Sequence, residues 1–229
     1  MTYTVLPVTV LAVLSVAPPL LLLGQQNAGN LAPEAVLTRM EERNRLQQSS
    51  LPEWTSIRLY TAGNNRLGKW AKASVQVISS AEGEKTFRVM EHQGSSYILK
   101  HVIQPVLEAE RVSAQKGMRE LTEISRQNYE FRQAGFDEEA FVFEATPRKP
   151  HRYQFQGRIW VDARTFAIRR VEGMPAVPPS FWVKRTDFAR EYRQYGQFWL
   201  PAEHHSRAQV RIVGDSMLQI DYGTYGMPR

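Results

Sequence analysis

Apolar and polar positions change their rhythm twice along the chain. Over residues 33–43 the apolar residues Val36, Leu37 and Met40 fall on one helical face, which predicts a helix with Pro33 near its start that runs to about Gln48, before Pro52. The next stretch alternates. Trp54–Thr61 and Trp70–Ser79 are predicted as strands around the turn segment 63–68, and Ala81-Glu82-Gly83 turns the chain into Lys85–Gln93. From about Ser96 to Ile124 the spacing of Ile98, Val102, Val106 and Leu107, then Ala109, Val112 and Met118, predicts helix, with Ser96 suited to cap it. Pro105 lies inside that region. Proline has no N–H to donate and crowds the carbonyl four residues back, so a break or kink is expected there, with Gly117 a second weak point.

From Asn128 the period returns to two. Strands are predicted at Tyr129–Phe136, Ala140–Thr146, about Tyr153–Val161, Ala167–Glu172, Phe181–Gln194, Phe198–Pro201, Glu203–Val213 and Met217–Tyr222, with turns at Tyr195-Gly196 and Gly214-Asp215. Asp162-Ala163-Arg164-Thr165 has the composition of a tight turn, because an aspartate can accept from its own backbone two residues on. Short connections between about nine or ten strands predict an antiparallel meander with one face packed and one wetted. The two helical regions supply the missing partner of the packed face. The expected fold is α+β, mostly β: a strongly curved antiparallel sheet, or half-barrel, with helices covering its concave face, in one domain over residues 30–229.

Residues 1–29 stand apart. Val5–Leu23 is almost wholly apolar, and no charged residue precedes Glu34. Pro7, Pro18 and Pro19 count against a long membrane helix. The segment is expected to be a signal peptide, or an N-terminal anchor where it is retained, which places the chain in the periplasm or outside the cell, or anchored at the inner membrane. There is no cysteine, which excludes disulfides, thiol catalysis and Cys-ligated metals. Lys and Arg number 29 against 23 Asp and Glu, and the net charge of +6 belongs entirely to the region after the apolar segment. Such a domain favours anionic partners, among them a membrane surface.

Motifs of catalysis are missing: there is no phosphate loop, dinucleotide fingerprint, HExxH or nucleophile elbow. His204 and His205 are neighbours on a predicted strand and point to opposite faces, which does not suit one metal ion. Glu108 and Glu110, two apart on a helix, do not converge. No enzyme activity, cofactor or metal is expected. Basic and aromatic residues occur together at Arg152-Tyr153, Arg158-Ile159-Trp160 and Lys184-Arg185, as in surfaces that stack bases. They are spread over several strands of an exported chain, and no nucleic acid is expected as a partner.

The most distinctive feature is the aromatic content of the later strands, including Trp160, Phe166, Phe181, Trp182, Phe198 and Trp199. Large aromatics line wide apolar space between a curved sheet and a cover, and the cover would present Ile98, Val102, Val106 and Leu107. These ten residues are the candidate ligand-binding set.

The hairpin 157–170, with Asp162 ending a strand, Thr165 in the turn and Arg169-Arg170 returning, resembles that of the outer-membrane lipoprotein-sorting family (LolA/LolB-like, with RseB-like relatives). The segments Asn128-Tyr129-Glu130-Phe131, Pro179-Ser180-Phe181-Trp182 and Phe198-Trp199-Leu200-Pro201 look like those of an uncharacterised exported bacterial subgroup with this fold. The resemblance implies a half-barrel under a helical lid, with an apolar cavity for acyl chains. Function is then expected to be that of a monomeric periplasmic binding or carrier protein for lipid acyl chains or a lipoprotein. The alternative is an envelope interaction or sensor module with no small ligand.

Overall fold

The structure, a computed structural model, describes residues 31–212 and 214–228. The apolar segment 1–29 lies outside the described residues, as does Val213 at the end of a predicted strand. Helix α1 (Pro33–Ser50) starts on a proline, which gives up no hydrogen bond in a first turn, and Glu34 suits the positive end of the helix dipole. Its buried side chains are Val36, Leu37 and Met40. Strands β1 (Trp54–Asn64), β2 (Lys69–Ser79) and β3 (Lys85–Gly94) form a meander.

The middle region is helical but irregular. Helix α2 (Ser96–Ile98) is capped by Ser95 rather than Ser96, with the Ile98 N–H donating to the Ser95 hydroxyl at 3.5 Å. A π-helical segment (Leu99–Ile103) follows, then α3 (Gln104–Ser113) and α4 (Lys116–Thr122). The helical path does not end at Pro105. The irregularity sits just before it, where the Gln104 N–H bonds to the Leu99 carbonyl five residues back. Pro105 itself occupies the first turn of α3, where no N–H is required. The helix does end at Ala114–Gln115, and Gly117 falls in the first turn of α4.

Seven longer strands and a short one complete the chain: β4 (Tyr129–Asp137), β5 (Ala140–Pro147), β6 (Phe155–Asp162), β7 (Ile168–Pro175), β8 (Val183–Tyr195), β9 (Phe198–Val210), β10 (Gly214–Asp221) and β11 (Tyr225–Gly226). They join one 11-stranded sheet in the order β3-β2-β1-β10-β9-β8-β7-β6-β5-β4, with β11 added beside β1. Every pairing is antiparallel and the sheet does not close. This is the mostly-β, open, curved sheet expected. The two segments expected on either side of Ala202 form a single strand, β9. Pro201 is accommodated by a register shift opposite Glu191/Tyr192, the kind of irregularity that tolerates a missing N–H.

Topology explains why the helices lie on the concave side. Strands β3 and β4 are the two edges, and the chain between them is the helical region, so it must cross the face to join them. Ile98, Ile103 and Leu107 pack on Tyr60, Ala73, Val75 and Ile220 from β1, β2 and β10. Helix α1 covers the other half through Val36, Leu37 and Met40, against Phe141, Phe143, Ile159 and Val171. The predicted turn after β6 forms as read: Asp162 Oδ1 accepts from the Thr165 N–H and hydroxyl, both at 2.8 Å. Among the described residues, no helix is long and apolar enough to cross a membrane.

Candidate ligand-binding trough

Two register lines across the concave face differ in side-chain size. One runs through Phe143, Ile159, Val171, Arg190, His204, Ile220 and Tyr60. The next, two residues along each strand, runs through Ala145, Gly157, Gly173, Phe188, Ser206, Leu218 and Ala62. Both face inward, because side chains two apart share a face and the ends of the first line lie in the two helix-covered cores. The second line is mostly Gly, Ala and Ser. It leaves volume that the first line fills.

That missing volume is an open trough of about 1170 Å³. Its wall is mostly apolar and includes Ala62, Trp70, Gly157, Gly173, Phe188 and Leu218, and exposed charges at Lys69, Arg158, Asp187 and Arg207 stand around it. The glycine pair is required by close approach. Gly157 and Gly173 are register partners, and a Cβ on Gly157 would overlap the Glu172 carbonyl oxygen, while one on Gly173 would overlap that of Gln156. Only glycine lets β6 and β7 come this close.

One step along the strands, beyond the trough wall, the concave face becomes polar. His204 stacks on Phe188, with ring centroids 5.8 Å apart and planes at 21°. Its Nδ1 is buried without a hydrogen-bond partner. Burial, with Arg190 beside it, pushes the imidazole down to about 3, so it is neutral at physiological pH. The Arg190 Nε is likewise buried and unpartnered.

A second polar group lies under α3. Arg58, with a side chain 0% exposed, donates through Nη1 to both Glu110 oxygens at 2.9 and 3.0 Å. Lys85 Nζ reaches the same carboxylate at 2.8 Å. The Arg58 guanidinium lies over the Tyr222 ring, 4.4 Å from its centroid. Burial raises the Glu110 carboxyl, but Lys85 and Arg58 more than reverse this and hold it well below the usual carboxylate range. Burial pushes the Tyr60 phenol up, and its hydroxyl has no partner. The carboxylate thus ties α3 to β1 and β3. Its neighbour Glu108 instead pairs with Arg111 on the exposed face of the same helix, so the two carboxylates diverge as expected.

The ten candidate residues scatter. Ile98 and Leu107 are buried in the core beneath the middle helices, and Val102 and Val106 pack at its border. Phe198 is buried where β9 starts. Trp160 is adjacent to the inward Ile159 and so faces out, where Arg170 lies 5.3 Å from its ring centroid. Phe166 sits in the turn after β6 at φ 57°, packed at the edge of the α1 core under Arg39. Trp199 is fixed to α1 by backbone bonds to and from Gln47. Phe181 and Trp182 lie before β8, are 75% and 53% exposed, and do not line the interior. The strand expected to start at Phe181, whose alternation would turn only one of the two inward, here begins at Val183. None of the ten forms the trough wall.

Phe188, Ser206, Leu218 and the two glycines form it instead. Gly157 and Gly173 were the available signal, since glycine inside an alternating strand marks close backbone approach. His204 and His205 do point to opposite faces: His204 is inside, and His205 lies outside, 3.6 Å from Glu203. Among the described residues, no three of His, Asp and Glu gather closely enough to hold a metal ion.

No protein-family description matches the chain. No curated protein matches it either. Solved structures do. The chain is similar to a LolA superfamily protein from Nitrosomonas europaea, 12% identical over 87% of this chain and 94% of the other, with a TM-score of 0.45. It is also similar to an outer-membrane lipoprotein-sorting protein domain from Vibrio parahaemolyticus, 12% identical over 85% and 92% of the two chains, with a TM-score of 0.43. A DUF1329 family protein from Desulfovibrio piger is 11% identical over 85% and 92%, also with a TM-score of 0.43.

Proposed function

We propose that the chain is an exported envelope binding protein that holds a lipid acyl chain, free or as part of a lipoprotein, in the trough of its half-barrel. The observation that carries this reading is the open, mostly apolar trough of about 1170 Å³ on the concave face. A cavity of that size exceeds the usual range for small-molecule sites, about 300–1000 Å³. Burying acyl carbons is worth about 0.8 kcal/mol per methylene, so a chain of about a dozen carbons offers roughly 10 kcal/mol before the costs of ordering. The middle helices, with Ile98, Val102, Val106 and Leu107, act as cover on one side of the concave face. Segment 1–29 serves as the export signal and places the protein in the periplasm. The reading needs neither a catalytic group nor a cofactor.

The test is displacement of a fluorescent fatty-acid probe, with expected affinity near micromolar, about 8 kcal/mol. Ser206→Phe, which fills the trough beside Phe188 and Leu218, is expected to abolish probe binding while leaving thermal stability unchanged. Probe binding that survives Ser206→Phe places the ligand elsewhere. A second reading, a protein-interaction module, is favoured by the exposed Ile57 and Leu59 on the convex side of β1, 62% and 46% exposed. It becomes the leading one where no amphiphile binds.

A further inference from the structure

The concave face buries more positive than negative charge. Arg58, Lys85 and Arg190 share it with one carboxylate, Glu110, and His204 is neutral there. An arginine cannot shed its proton, so this imbalance persists at any working pH. The other carboxylates on the neighbouring strands are engaged. Glu172 and Glu191 pair with Arg170, and Glu203 pairs with Arg193. Glu110 is held by Arg58 and Lys85.

Donors are left over on the same face. Arg190 Nε, Arg58 Nη2 and the Tyr60 hydroxyl are all buried without a hydrogen-bond partner among the described residues. Arg58 is fully enclosed. Buried polar groups in native proteins find partners, and a buried guanidinium most of all. Arg190 also occupies a telling place. It is two residues from Phe188 on β8, so its side chain leaves the same face about 7 Å from the trough wall. His204 stands opposite it on β9 and continues the stack begun by Phe188.

We propose that Arg190 forms an anion subsite at the inner end of the trough, which takes the carboxylate or phosphate headgroup of a single-chain amphiphile whose tail lies against Gly157, Gly173, Phe188 and Leu218. The subsite deepens the binding reading above and rests on it for the tail, not for the headgroup. Arg190 is a binding residue in this account, and His204 a flat, neutral wall that keeps the guanidinium in place.

Three ligands with one oleoyl chain separate the possibilities: oleate, oleoyl lysophosphatidate and the uncharged mono-oleoylglycerol. Each is titrated into the full-length exported form and into Arg190→Gln and Arg190→Lys, with inorganic phosphate alone as a fourth arm. Charge-assisted hydrogen bonds predict that at least one of the two anionic ligands binds at least about tenfold tighter than the glyceride. Arg190→Gln should reduce that ligand to the glyceride's affinity without changing the glyceride, and Arg190→Lys should retain most of the preference. The wild-type comparison alone keeps the proposal testable if Arg190→Gln does not fold. Equal affinity of all three for wild type overturns the anion subsite but leaves the trough as a ligand cavity. Binding of none of the three, and none of phosphate, overturns both. Binding of inorganic phosphate as tight as that of lysophosphatidate supports Arg190 as an anion site and removes the lipid.

Discussion

The two halves of the concave face are covered in different ways. Beneath α1 the buried contact is apolar, with Val36, Leu37 and Met40 against Phe141, Phe143, Ile159 and Val171. The polar ties of the helix lie at its rim, where Gln47 bonds to the Trp199 backbone and Glu41 and Thr38 take Arg126. Beneath α3 the apolar contact of Ile103 and Leu107 is joined by the Arg58–Glu110–Lys85 network. An apolar contact gains from burial and close packing and has no paired charges to fix it. A buried ion pair adds little net stability, since desolvation offsets most of its attraction, but it tolerates only one placement. The α1 half is therefore apolar core placed by polar ties at its rim, while in the α3 half the placing network is itself buried. The α3 half is a cover whose position is specified, and the Arg190–His204 pair lies between the two.

The largest expected effects test that difference directly. Phe143→Ala empties a fully buried site in the α1 half and should cost about 4 kcal/mol in urea unfolding. Val106→Ala, at the border of the α3 core, should cost about 1 kcal/mol, because its side chain is only partly buried. Similar losses at the two positions would mean that the halves are equally packed. Glu110→Ala should cost about 3 kcal/mol by leaving Arg58 buried without its carboxylate. The combined replacement Arg58→Met, Lys85→Met and Glu110→Leu should recover most of that loss, because no charge is then left unpaired. A triple variant as weak as the single one would show that the network contributes stability and not only placement.

Acid reaches the seam between the halves first. In the folded protein His204 protonates only near 3, while its ordinary value is 6.5. Between those values the unfolded chain binds a proton that the folded chain does not, so stability falls as pH falls from 6.5 toward 3. The limiting slope is about 1.4 kcal/mol per pH unit. The Glu110 carboxyl is also depressed, from 4.5, so its contribution is complete above 4.5 and is lost as pH drops below it. The two windows overlap only below 4.5. His204→Gln should flatten the stability profile between pH 6.5 and 4.5 and make the decline below 4.5 shallower, leaving there the part due to Glu110. An unchanged slope in that upper window would mean that His204 is solvated in the folded state.

Much of this architecture was legible in the sequence, and the unreadable part has a single cause. Helix α1, strands β1 to β3, the Asp162 turn and the antiparallel meander follow from local periodicity and turn chemistry, which are properties of neighbours in sequence. The trough is a property of register. Gly157 meets Gly173, and Phe188 meets Ser206, only after β6, β7, β8 and β9 have paired. Strand β1 shows how far a local pattern can mislead. Ile57 and Leu59 alternate as a core stripe would, yet they face out, while Ser56, Arg58 and Tyr60 are buried. The inward arginine is stable there because Glu110 arrives from a helix 52 residues later in the chain. The large aromatics of the candidate set do not line the trough for a related reason. A cavity is made by small side chains between large ones, and Trp160, Phe181 and Trp182 are placed outside it.

The smallest predicted effect concerns the turns, which also differ between the halves. In the α1 half, the β4–β5 turn places Glu138 and Glu139 at φ 45° and 61°. Left-handed backbone costs a residue with a Cβ about 1–2 kcal/mol, and glycine nothing comparable. The Glu139 carbonyl accepts from the Ala163 N–H at 2.9 Å, a contact that does not depend on its side chain. Glu139→Gly should therefore stabilise the protein by about 1 kcal/mol, and Glu139→Ala should not. The β1–β2 turn of the α3 half already has glycine where it is needed: Gly68 is at φ 57°, with open space where a Cβ would stand. Gly68→Ala should accordingly lose about 1 kcal/mol from backbone conformation alone, with no steric contribution. Opposite signs of similar size at the two turns would show that the α1 half holds its hairpin against local strain through the core beneath it. A neutral result at Glu139 would mean that the hairpin turn relaxes instead, and that the α1 half is less rigid than its packing implies.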